Sequence, residues 1–265
     1  MDFKKLSVDD RIDFIADLDV PVVNPSMSLR SLPLKMQPLT MQPLNADKGN
    51  LESAVVIGNN VLSFVAGLDP QLKQDVKDSV LLAQLAAAKK YPNKDTHHVE
   101  RYHLFSDVMT ACGWTTTNDS IHKVTDLQQK FTMDQVALEI IASVVGPNKA
   151  ILEIVGIVFG ALAKTPKALS LFENAAKGID SGNFQILPCF PTVDDEVIMI
   201  KTGMQFSSAK RVSKVLFWEW SSNEVNLYAA ASSVTLNRKL YAGLRDKVAE
   251  KLGTSAMGKV ENIDI

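Results

Sequence analysis

Cysteine and histidine are the residue types in this chain best suited to nucleophilic or metal chemistry, and there are only two cysteines and four histidines. Cys189 stands in "SGNFQILPCFPT", residues 181–192, between Pro188 and Pro191 at the end of an alternating apolar run. Its possible roles are a small core residue, a nucleophile, a metal ligand or an attachment point. A cysteine nucleophile needs a histidine in reach and a depressed pKa, from a helix N-terminus or a nearby cation. Leu187, Pro188, Phe190 and Pro191 bring neither. Burial among such residues raises a thiol pKa, so the pattern reads first as an inert buried thiol. S-acylation also suits apolar surroundings. Each methylene of a fatty chain removed from water contributes about 0.8 kcal/mol, and a cavity would shield both chain and thioester.

The histidines cluster in "THHVERYH", as His97, His98 and His103, with His122 further on. On a helix His98 and His103 are five apart and share a face poorly, whereas metal pairs favour i, i+4. The cluster reads as exposed or interfacial. Cys112 and Cys189 have neither zinc-ligand spacing nor a disulfide framework, and they fit a reducing compartment. No dinucleotide fingerprint, phosphate-binding loop, nucleophile elbow or H-E-x-x-H is present. No catalytic residue and no metal ligand is therefore assigned, and the balance falls against an enzyme.

The elements that must position Cys189 come from 265 residues, 46% of them hydrophobic, with a net charge of −2. That length supports a substantial core. The charge balance gives no reason to expect nucleic acid as a partner. "MDFKKLSVDDRIDFIADLD" is charged throughout and predicts no secretory leader, hence a cytoplasmic location in the producing cell. No apolar stretch reaches the roughly 20 residues of a spanning helix, so membrane contact would need a hairpin, an amphipathic surface or a lipid.

Residues 1–50 read as an extended proline-rich arm, with a short helix over 9–19 that aligns Ile12, Ile15 and Leu18. "MQPL" occurs at 36–39 and again at 41–44. Residues 51–265 read as one domain. "NLESAVVIGNNVLSFVAGL", "PQLKQDVKDSVLLAQLAAAKKY" and "VERYHLFSDVMTACGW" show helical apolar spacing. "MDQVALEIIASVV" and "KAILEIVGIVFGALAK" form an apolar helical hairpin, 136–163, broken at "GPN" and holding Glu139 and Glu153. Two readings of it stay open: a buried core hairpin with its glutamates at the rim, or a membrane-inserting hairpin. Gly156 and Gly160 would permit close helix contact in the second. Thr165, Pro166 and Gly178 bracket a further helix. Strands are expected at "NFQILPCF", "EVIMIKTGMQF", "RVSKVLFWEWSS" and "EVNLYAAASSVTLN", the last two as a hairpin across "SSNE". A helix, "NRKLYAGLRDKVAEKLG", and a last strand in "KVENIDI" close the chain. Helices followed by mostly antiparallel strands give an α+β class.

The C-terminal two-fifths, "SGNFQILPC … EVIMIKTGMQF … VLFWEWSSNEVNLYAAASSVTLNRKLYAGLRDKVAEKLG", resembles the Erwinia virulence factor (Evf) family, as does "SVLLAQLAAAKKY … HLFSDVMTACGW". The resemblance implies a single intertwined α/β domain and a virulence role. It also implies palmitate held as a thioester on a cysteine, the position best matched by Cys189, with Cys112 as a competitor. A fatty acid or acyl-CoA donor and a membrane would then be partners. Val155, Phe159, Phe184, Ile186, Phe217 and Trp218 are expected to line the acyl cavity. The alternatives are a pore-forming toxin using 136–163, and an enzyme with Cys189 as a transient acyl carrier.

Overall fold

The structure, a computed structural model, describes residues 5–21, 52–116, 121–146, 149–192, 194, 196–253, 260–263 and 265. Most of the proline-rich stretch, both "MQPL" copies included, lies outside the described residues.

The elements in order are α1 (Val8–Asp17), β1 (Ser53–Ile57), β2 (Asn60–Phe64), α2 (Pro70–Lys90), α3 (His98–Ala111), β3 (Trp114–Thr116), β4 (His122–Lys123) and β5 (Lys130–Phe131). Then follow α4 (Met133–Val145), α5 (Lys149–Lys164), α6 (Pro166–Ala176), β6 (Ser181–Pro191), β7 (Val197–Ser208), β8 (Trp220–Ser221), β9 (Val225–Leu236), α7 (Arg238–Gly253) and β10 (Val260–Ile263). The main sheet runs β10-β1-β2-β6-β7-β9-β3, with β4 also on β9. The β2–β6 pairing is parallel and its neighbours along the sheet are antiparallel. This is the expected α+β class.

Local chemistry sets the helix ends. Asp69 caps α2, its Oδ1 accepting from the Gln71 and Leu72 amides at 2.8 and 3.2 Å, and Pro70 takes the first turn. Lys89 and Lys90 close the helix where cations suit the C-terminal dipole. Ser7 and Asp10 form a reciprocal capping box on α1. Ile15 of α1 is fully buried and Leu18 nearly so, on the side the spacing predicts.

Two expectations fail. Residues 53–64, part of a stretch expected to be helical, form a hairpin instead. Ile57 pairs with Asn60 across the two-residue loop Gly58-Asn59, and Gly58 takes φ 60°. Gly-Asn is a tight-hairpin signal, and Val55, Val56, Ile57 and Val61 are β-branched. Every residue of β2 is buried, so no alternation marks it as a strand. The second failure is "RVSKVLFWEWSS". Only Trp220–Ser221 is a strand there, paired with Lys130–Phe131. β9 instead pairs along its whole length with β7, so the hairpin expected across "SSNE" is absent. The 212–216 stretch is held by α6: the Glu173 carboxylate accepts from the Val215 and Leu216 amides at 2.7 and 3.2 Å. Burial pushes the Glu173 carboxyl up, and those two amides oppose the shift.

The sheet separates two apolar cores. One lies under α1, α2, α3 and α7, and holds Val76, Phe105, Tyr241 and Leu244. The other lies under α4, α5 and α6, and holds Ile141, Ile154, Phe172 and Phe206.

Candidate functional site: the α4–α5–α6 layer and Cys189

α4 lies over β7 and β9, α5 over β2 and β6, and α6 over β1 and β10. The three helices thus step across one face of the sheet. Gln135 Oε1 accepts from the Thr132 amide at 3.2 Å at the start of α4. Gly146, with φ 60°, ends that helix. Pro166 begins α6 after a bend of 100° from α5.

α5 buries Ile151, Ile154, Val155, Val158, Phe159 and Leu162 against the sheet. Its outer side carries Glu153, Gly156, Ile157, Gly160 and Ala163, all exposed. Ile157 is 43% exposed. Glu153 is the one charge between residues 150 and 163. A helix on the outside of a water-soluble fold ordinarily turns a polar face outward, and α5 does not. Glu139 on α4 is exposed as well. Among the described residues, no single helix is long and apolar enough to cross a bilayer, but α5 and α6 together reach that measure as a bent pair.

Gly156 and Gly160 make no close helix contact in this fold, since a Cβ at either would meet nothing within 4 Å. Glycine inside a helix costs roughly 0.5–1 kcal/mol relative to alanine. Gly156→Ala and Gly160→Ala are therefore each expected to raise folding stability by about that amount in urea unfolding, and a loss of stability would place the glycines in contacts not described here.

Cys189 is fully buried, with Phe64 and Met199 as its register partners on either side. Its Sγ lies 3.5 Å from the Leu187 carbonyl oxygen. Burial pushes its pKa up, with no cation to oppose the shift. Cys112 is also fully buried and pushed up to about 12, with Arg11 opposing the shift weakly. Burial thus favours the neutral form of both thiols.

The structure divides the residues read from sequence into two groups. Val155, Phe159, Phe184, Ile186 and Phe217 meet in the core under α4–α6, with Phe159 and Phe217 edge to face at 6.4 Å. Cys189 belongs to the core on the opposite side of the sheet. The alternation of β6 is the reason: residues 184 and 186 point one way, 187 and 189 the other. Trp218 joins neither core and is 47% exposed, because the segment around it is not a strand. The strand reading missed this exposure; the alternation of Leu216, Trp218 and Trp220 suggested one buried face.

No protein-family model and no curated protein matches the sequence. Among solved structures, the chain is similar to a delta-endotoxin (TM-score 0.42, 12% identity, 78% of this chain and 90% of that one). It is similar to the Evf virulence factor (TM-score 0.41, 15% identity, 77% and 86%). It is also similar to the activated Cyt2Ba monomer from Bacillus thuringiensis subsp. israelensis (TM-score 0.35, 11% identity, 67% and 96%). At these scores no activity passes from those proteins to this chain.

Proposed function

We propose that this protein is a virulence-type, toxin-like effector that acts on lipid bilayers through its α4–α5–α6 layer. The observation that carries the reading is α5, apolar on its buried side and nearly uncharged on its outer side. A helix apolar all round is at home in a core or in lipid, and α5 lies at the surface. Lys149 and Lys164 end it, where cations meet anionic headgroups at about 1 kcal/mol each. Trp218, exposed beside the Phe217 ring that contacts α5, suits a bilayer interface. Gly156 and Gly160, idle in the water-soluble fold, would serve helix contact after insertion. The virulence part of the reading rests on the resemblance of the C-terminal two-fifths to the Evf family. Purified protein should release dye from vesicles, more so as anionic lipid increases and less as salt rises. Intact vesicles at every lipid charge would overturn the proposal.

A second reading keeps the acyl thioester at Cys189, favoured by the wholly apolar surroundings of that thiol. The chain would have to lie under the α2–α7 layer, displacing side chains such as Phe64 or Met199. It would not use the expected cavity residues across the sheet. Intact mass before and after neutral hydroxylamine tests it: a fatty acyl mass lost with hydroxylamine and absent from Cys189→Ser supports it. A bare mass from cells supplied with acyl donors rejects it.

A further inference from the structure

On the α2–α3 side, one end of the main sheet stays open to water. Leu187, Cys189, Val197, Met199, Val234 and Leu236 belong to the core on that side. Residues two apart along a strand share a face. The same face therefore carries two rows across β6, β7 and β9, in direct register: Ser181–Ser207–Asn226 and Asn183–Gln205–Tyr228. Ser207, Asn226 and Tyr228 are exposed and the other three are half-buried. On the opposite face the same strands bury Phe184, Met204, Phe206 and Leu227.

The make-up of the two rows is not that of an ordinary solvated face. The chain is 22% charged, yet none of the six residues is. Asparagine is among the residues that strands disfavour, and it stands at 183 and 226 in two long paired strands. A local preference overridden with no packing gained in return points to function. Two of the six are held in place. Ser181 Oγ donates to Asp95 Oδ1 at 2.8 Å, and Asn183 Oδ1 accepts from Asn59 Nδ2 at 2.7 Å.

This chemistry narrows the ligand. Rows without charge give phosphates, anionic headgroups and charged peptides no counter-charge. Rows without an aliphatic side chain do not seat an apolar helix. Amides and hydroxyls both donate and accept, which suits a molecule dense in hydroxyls. The Tyr228 ring, 38% exposed, offers a flat apolar surface to the C–H side of such a molecule. Neighbouring strands lie about 4.8 Å apart and alternate residues about 6.8 Å apart, so four of these side chains span one sugar ring. Val99 and Ile121, 40% and 38% exposed, border the Tyr228 end with further apolar surface. Two cations stand at the edge. Lys123 pairs with Tyr228 from β4, and Arg101 Nη1 is committed to the Tyr91 carbonyl at 2.8 Å.

We propose that this face binds a neutral carbohydrate, with a sugar ring against Tyr228 and its hydroxyls bonded by Gln205, Ser207 and Asn226. The inference does not depend on the membrane reading of α4–α6.

The test applies the full chain, detected through a terminal tag, to a printed array of neutral, sialylated and sulfated glycans. Saturable binding to a set of neutral glycans is expected, unchanged as salt rises. Tyr228→Ala and Asn226→Thr should each lower it about tenfold or more. Threonine suits a strand better than asparagine, so Asn226→Thr should melt no lower than the wild type, which separates lost recognition from lost folding. Val8→Ala, on α1, should bind as the wild type does. Failure to bind any neutral glycan would overturn the proposal. So would binding confined to sialylated or sulfated glycans that fades with salt, since the edge cations would then carry it. Neutral-glycan binding that survives both variants would overturn it as well.

Discussion

Ile157→Asp is expected to reduce vesicle leakage about a hundredfold while leaving the folded protein as stable as before. Ile157 is 43% exposed on the outer side of α5, so in water the new carboxylate meets solvent. Surface changes of that kind stay within about 0.5 kcal/mol. In hydrocarbon the comparison reverses. Isoleucine at the centre of an inserted helix contributes about −0.3 to −0.6 kcal/mol, and a charged residue costs about 2.5–3.5. A difference of roughly 3 kcal/mol is about two decades in an equilibrium. Val8→Asp supplies the control, because Val8 is 40% exposed on α1, over the opposite face of the sheet. Leakage by that variant should match the wild type. Equal leakage by Ile157→Asp, Val8→Asp and wild type would remove α5 from the membrane.

The largest effect on folding is expected at Arg245→Met. The Arg245 guanidinium bridges α7 to α2, with Nε to Asp75 Oδ1 at 2.9 Å and Nη2 to Asp75 Oδ2 at 2.8 Å. The pairing raises the Arg245 pKa. The Asp75 side chain is 1% exposed and that of Arg245 35%. Removing the arginine leaves a buried carboxylate with Gln71 Nε2 as its remaining donor among the described residues, at 2.9 Å. Breaking a buried pair costs about 3–5 kcal/mol, and the partial exposure of Arg245 places this one near the lower end. Urea unfolding should show a lower midpoint with an unchanged slope. Replacing both partners, Asp75→Leu with Arg245→Met, should restore most of the loss, since no charge is then stranded. A double variant no more stable than the single one would contradict this. The bridge lies on the side of the sheet away from α5, so leakage per folded molecule should not change.

Much of the fold was legible because its signals are local. Pro70 marks the start of α2, and Thr165 before Pro166 marks that of α6. Leu240, Leu244, Val248 and Leu252 at i+4 steps give α7, of which Leu244 and Val248 are fully buried. Strands covered on both faces were harder. β1 is apolar at four of its five positions and β2 at three of five, with no clean alternation, which fits helix and strand alike, and Gly58-Asn59 breaks the tie. The stretch 211–219 alternates like a strand, yet its anchor is Glu173, some forty residues earlier. Cys189, Phe184 and Ile186 were each buried as read, but the two-residue period of β6 sends the thiol to the opposite side of the sheet from the other two, and Trp218 is exposed. Strand parity alone carries that separation, with 184 and 186 even and 189 odd.

The most direct measurement of the central claim places position 157 relative to the bilayer. The native thiols Cys112 and Cys189 are both buried, so Ile157→Cys can be labelled selectively with an environment-sensitive fluorophore in the folded protein. The label should be quenched by aqueous iodide before vesicles are added. After binding to anionic vesicles it should blue-shift, lose iodide quenching and be quenched by nitroxides deep in the acyl chains. A label still open to iodide on vesicles that are leaking would contradict the account, because the bilayer would then be breached without α5.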